Sequence, residues 1–119
     1  MENATVAIFD DDAEIIKHLE VLLEAYGHSV SRVTRSMDEV PEAVDVLAAH
    51  PVDVAIVDGN LHFSRLNSED GKEVIRKLRA AEAARLIIGF SGTHDVEGAD
   101  HNIPKGARVL EILDLIRAL

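Results

Sequence analysis

Four carboxylates, a hydroxyl and an amine carry the chemistry this sequence could do. Asp10-Asp11-Asp12 follows one apolar run, Asp58 follows another, Ser91 closes a third and Lys105 lies near the end of the chain. If strand ends bring Asp10, Asp11 and Asp58 into one crevice, they repel one another unless a cation or protons lie between them. Mg2+ is the natural cation, or another divalent ion such as Mn2+, because it is hard and takes carboxylate, carbonyl and water oxygens. A carboxylate can also attack phosphorus and become an aspartyl-phosphate. That reaction needs a metal to neutralise charge, a lysine to pair with phosphoryl oxygens and a hydroxyl to bond one of them. Lys105 and Ser91 fit the last two roles. Each residue also has a plainer use: Asp12 as a helix cap, Asp58 and Ser91-Gly92 as turn residues, Lys105 as a solvated side chain.

The elements that must position these groups are legible in the hydrophobic pattern. Thr5-Val6-Ala7-Ile8-Phe9 reads as a strand cut off by the aspartates. Ile15, Leu19, Leu22, Leu23 and Tyr26 then recur at helical spacing, and Gly27 is a natural stop. A second strand is expected over 28–34. A second helix follows, with Ser36 or Asp38 as its cap, Pro41 in its first turn and Val40, Val44 and Leu47 as its stripe. A third strand over 52–57 ends at Asp58, and a polar stretch over 59–71 leads to a helix carrying Val74, Ile75 and Leu78. A fourth strand is expected over 85–90. The stretch 93–106 has no helical stripe, and a last helix is expected from about 107 to 119 on Val109, Ile112, Leu113 and Ile116.

Short apolar runs separated by amphipathic helices imply parallel strands buried on both faces, a doubly wound α/β sheet. Ligands of such sheets sit beyond the carboxyl ends of the strands, where the aspartates and Ser91 lie. Asn102-Ile103-Pro104 is a poor fifth strand, and Pro104 suits only an edge.

Composition narrows the function classes. The 119 residues suit a single domain, and with no cysteine there is neither a disulfide framework nor a thiolate site. A net charge of -10 argues against nucleic acid and anionic membrane surfaces as direct partners. No apolar run approaches the roughly 20 residues of a membrane span. No secretory leader is apparent, so a cytoplasmic location is expected. His94, Asp95, Asp100 and His101 are better read as loop polarity than as a transition-metal site.

Ile8-Phe9-Asp10-Asp11-Asp12, Ile56-Val57-Asp58, Phe90-Ser91-Gly92, and Gly98-Ala99-Asp100 followed seven residues after Gly98 by Lys105, resemble in order the four signatures of response-regulator receiver domains. The resemblance covers nearly the whole chain. It implies a single receiver domain over 1–119 with a five-stranded parallel sheet of order 2-1-3-4-5, flavodoxin-like and CheY-like. It implies Asp58 as phosphoacceptor, Asp10 and Asp11 as the acidic pair that holds Mg2+, and the Asn60 backbone carbonyl as a further metal ligand. Ser91 becomes the switch hydroxyl, Lys105 the phosphoryl partner, and Gly92 a residue that leaves the site open. The donor is then a histidine kinase or phosphotransfer protein, and the domain is a signalling phosphoacceptor with slow autodephosphorylation rather than an enzyme.

Three features depart from the family pattern. The segment between Asp58 and Asp70-Gly71 is longer and lacks the usual Met-Pro pair. Only 13 residues separate Ser91 from Lys105, so the fourth helix is expected to be absent or reduced to one turn. Asn102 stands where the family carries a ring, and Pro104 precedes Lys105 instead of following it. The altered output surface motivates a second reading, an adaptor that binds partners without phosphorylation. Phe9-Asp10-Asp11-Asp12 also fits the Asp-x-Asp nucleophile of haloacid-dehalogenase-like phosphatases, though only Glu111 and Asp114 follow Lys105 as acidic candidates.

Overall fold

The apolar runs become five parallel strands: β1 (Thr5–Phe9), β2 (Ser29–Thr34), β3 (Val52–Val57), β4 (Ala84–Ser91) and β5 (His101–Pro104). Between and after them stand α1 (Ala13–Ala25), α2 (Val40–Ala49), α3 (Glu69–Ala80) and α4 (Leu110–Ala118). The structure, a computed structural model, describes residues 1–61, 69–92, 94–106 and 109–119. The strand order is β2-β1-β3-β4-β5, the doubly wound sheet expected from the sequence. No helix among the described residues is long and apolar enough to cross a membrane.

Strand alternation divides the core in two. Ala7, Phe9, Ala55, Val57 and Ile87 face α2 and α3, where they meet Val40, Leu47, Val74 and Leu78. Val6, Ile8, Val54, Ile56, Ile88 and Phe90 face α1 and α4, where they meet Leu19, Leu23, Ile112 and Ile116. Both faces of β1 and β3 are therefore dry, which is why these strands read as continuous apolar runs. Burying each large aliphatic or aromatic side chain is worth about 1.5–3 kcal/mol.

The ends of the elements follow local chemistry. The Asp12 carboxylate caps α1, accepting the amides of Glu14 and Ile15 at 2.9 and 3.3 Å. Gly27 follows the helix with φ +90, a left-handed conformation that glycine adopts without a steric cost. Strand β2 starts at Ser29, one residue later than expected, because His28 turns inward and its Nδ1 accepts the Ala4 amide at 3.0 Å. Ser36 opens a 3-10 turn (Met37–Glu39) that runs into α2; its hydroxyl donates to Glu39 Oε2 at 2.9 Å and does not cap α2 directly. Pro41 lies in the first turn of α2. Strand β4 runs from Ala84, so Ser91 is its last residue. The final helix is described over Leu110–Ala118, and its expected start near 107 lies outside the described residues; of its expected stripe, Ile112, Leu113 and Ile116 are buried and Val109 is half-buried.

Among the described residues no helix stands between β4 and β5. The connection instead folds onto α3. Val96 is fully buried in the core against α3. Arg79 of α3 donates to the Gly98 carbonyl at 2.6 Å and pairs with Asp100 at 3.1 Å. Asp100 in turn accepts the Ile87 amide at 2.8 Å. Strand β5 pairs only with β4, so Pro104 sits on the edge, where its missing N–H costs no ladder bond.

Candidate functional site

The β-sheet register fixes where the polar strand ends meet. Phe9 pairs with Val57 and Val57 with Gly89. Asp10 and Asp58 each lie one residue beyond these pairs, and Ser91 lies two beyond. The Asp58 amide donates to the Phe9 carbonyl at 2.8 Å and the Asp10 amide to the Thr34 carbonyl at 3.0 Å, so both aspartates continue the sheet's backbone bonding. On the far side, the Lys105 amide donates to the Ser91 carbonyl at 3.1 Å, which ties the segment after β5 to the end of β4.

Lys105 reaches the carboxylates. Its Nζ lies 2.9 Å from Asp10 Oδ2 and 3.1 Å from Asp58 Oδ2, and 5.9 Å from the centroid of the Phe90 ring. One oxygen from each of Asp10, Asp11 and Asp58 lies within 4.8 Å of the others. Asp10 and Asp58 are buried, at 2% and 6% exposure, and Ser91 is buried beside them at the end of β4. The sequence had grouped Asp10, Asp11, Asp58, Ser91 and Lys105 at one edge of the sheet, and all five are found at that edge. Among the described residues a Cβ added at Gly92 would meet only Lys105 Cβ, at 3.9 Å, so their packing does not demand glycine there.

The electrostatics are those of a site short of positive charge. Burial, then the neighbouring Asp10 charge, pushes Asp58 up to about 6, against the pull of Lys105 and of the Asn60 amide that donates to its carboxylate. Asp10 is also raised, chiefly by burial, although Lys105 and the Asp12 amide bond it. Burial alone would lower Lys105, but the Asp10 hydrogen bond and the charges of Asp10 and Asp58 outweigh it and hold the ammonium charged. One lysine thus serves two buried carboxylates, and the donor set of three carboxylate oxygens suits a hard divalent cation. The histidines of the β4–β5 connection join no such cluster among the described residues, and Asp100 is occupied by Ile87 and Arg79.

Residues 6–110 match the family model for the response regulator receiver domain. The chain belongs to this family. It is 29% identical over 122 aligned residues to the virulence transcriptional regulatory protein PhoP of Salmonella typhimurium, an alignment that takes in 96% of this chain and 50% of the relative. The chain spans about half the length of the curated relatives it matches. Among solved structures, the signal receiver domain of a modulated diguanylate cyclase from Desulfovibrio desulfuricans has TM-score 0.75 at 24% identity, covering 97% of this chain and 91% of that one. A CheY-like response regulator receiver domain protein from Methanospirillum hungatei has TM-score 0.74 at 20% identity, with 96% and 90% covered. These two likenesses concern the fold.

Within this receiver, two features were not legible beforehand. Asp70 had served only as a landmark beside Gly71; it is buried, and its Oδ2 accepts the Leu61 amide at 3.1 Å. Its position in the first turn of a helix, where a carboxylate is favourable, was the available signal. Asn102, in place of the family's ring, is exposed overall, but its side chain lies over Gly89 and accepts the Val96 amide at 2.8 Å. The long segment after Asn60 falls mostly on residues 62–68, outside the described residues.

Proposed function

We propose that this receiver takes a phosphoryl group on Asp58 from a histidine kinase or phosphotransfer protein, with Mg2+, as one step of two-component signal transduction. The observation that carries the reading is the Lys105 ammonium held between Asp10 and Asp58 at a three-carboxylate cluster. Asp10, Asp11, Asp58 and the Asn60 carbonyl are the protein ligands of the cation, which when bound offsets charge on the transferring phosphoryl group. The ionised Asp58 oxygen attacks phosphorus; a C–O–P linkage forms while the donor's P–N bond breaks, its electron pair leaving with the imidazole. Lys105 then pairs with a phosphoryl oxygen, and the Ser91 hydroxyl donates to another. Hydrolysis of the acyl phosphate resets the domain slowly. The signal passes to a protein partner or a further domain, and the 1–119 segment acts as one receiver unit.

Incubation of the full chain with a small-molecule phosphodonor tests this reading. We expect phosphoryl incorporation that requires Mg2+ and is abolished by a chelator. Incorporation indifferent to the chelator would remove the cation from the mechanism. No incorporation at all, with Mg2+ demonstrably bound, would favour the phosphorylation-independent adaptor.

A further inference from the structure

We infer that Asp70 is a positioning residue that aims the Asn60 backbone carbonyl at the carboxylate cluster, an inference that rests on the function just proposed. The argument turns on one peptide plane. The Asn60 C=O and the Leu61 N–H belong to the same planar unit, and in a trans peptide they point in opposite directions; no peptide among the described residues is cis. The Leu61 N–H is held by Asp70 Oδ2 at 3.1 Å, so the Asn60 carbonyl is directed away from Asp70. The preceding peptide plane, Gly59–Asn60, is anchored as well, which fixes where the Asn60–Leu61 plane begins. The Asn60 N–H donates to the Asp58 carboxylate, and the Gly59 carbonyl accepts the Gly71 amide at 2.8 Å. Gly71 packs so closely on this segment that a Cβ there would lie 2.5 Å from the Asp58 carbonyl oxygen and 2.8 Å from Gly59 Cα. The first turn of α3 is thus a cradle for 58–61, with Asp70 and Gly71 as its two contact points.

Two consequences favour metal binding. Mg2+ tolerates little departure from octahedral geometry, so a ligand fixed in advance saves the cost of ordering it. A carboxylate accepting from the amide also polarises the peptide and makes its carbonyl the better donor. Asp70 is itself buried, at 3% exposure, so water does not compete for this bond.

Mg2+ titration of the full chain, by calorimetry and by 15N–1H NMR, tests the inference. In the wild type the Leu61 amide nitrogen should shift with the same Kd as the calorimetric binding, because its peptide carries the ligating oxygen; an unmoved Leu61 resonance would overturn the inference. Asp70→Ala should weaken Mg2+ binding 10–100-fold, whereas Asp70→Asn, which keeps an acceptor oxygen, should stay within a few-fold of wild type. A folded Asp70→Ala that binds Mg2+ as tightly as wild type would contradict the role, as would a folded Asp70→Asn that loses affinity as fully as the alanine variant. If Asp70→Ala does not fold, the wild-type Leu61 shift and the Asp70→Asn affinity decide. Wild-type protein that takes up no Mg2+ at millimolar concentration would remove the proposed function and this inference together, whereas intact wild-type binding with unaffected variants would remove the inference alone.

Discussion

At the scale of residues, the Asp10–Lys105–Asp58 group is an incomplete neutralisation. Two buried carboxylates share one ammonium, and Asp58 settles near 6 as a result of burial and the Asp10 charge. A carboxyl whose folded value exceeds its unfolded one binds more protons folded than unfolded in the interval between them. Its ionisation therefore costs stability as pH rises from roughly 4 through about 6, and the cost is complete above that window. In metal-free protein Asp58→Asn should stabilise the fold by about 1–3 kcal/mol at pH 7.5 and by little at pH 4. Urea unfolding at the two pH values checks this; an asparagine variant less stable than wild type at pH 7.5 would show that the Lys105 contact outweighs the repulsion. The sequence disclosed which residue types gathered at this edge, because strand ends in a doubly wound sheet converge. It could not disclose that Lys105 divides itself between Asp10 and Asp58, which depends on side-chain reach after β5.

At the scale of elements, the described residues between β4 and β5 form no helix and are pinned to their neighbours. Asn102 fills the space over Gly89 and holds Val96, whose side chain abuts Gly71 beside the Asp58 carbonyl. Gly89→Ala alone should destabilise by about 1–3 kcal/mol, since its methyl would meet the Asn102 side chain. Asn102→Ala alone should cost about 0.5–1.5 kcal/mol, by removing the acceptor of the Val96 amide. The double variant should recover part of the loss, because the new methyl enters the space vacated by Asn102. Strict additivity in denaturant melts would contradict the packing described. That the helix would be lost was readable from the short spacing between Ser91 and Lys105. What takes its place was not, since a single Val96 between polar residues carries no period, and its burial depends on Gly89, Gly71 and Asn102 across three elements.

For the whole molecule, the two cores lie on opposite faces of the same strands, so neither can be lost while the other stays ordered. Residues 1–119 should therefore unfold in one transition, with far-UV circular dichroism and amide exchange in α1 and α3 giving the same midpoint; separate midpoints would divide the domain. The doubly wound parallel sheet was legible because apolar runs and amphipathic stripes alternate cleanly through Val57 and again over Ile112 to Ile116, whereas the strand order came only with the resemblance to receiver domains. The start of β2 was not legible, because His28 takes its place from the Ala4 amide, a partner that leaves no periodic trace.

The central claim is that Asp58 receives the phosphoryl group, and intact-mass spectrometry after treatment with a phosphodonor and Mg2+ tests it most directly. The account predicts a gain of about 80 Da, one phosphoryl group, in the wild type and none in Asp58→Asn. An unchanged mass in the wild type, or the same gain in Asp58→Asn, would contradict it.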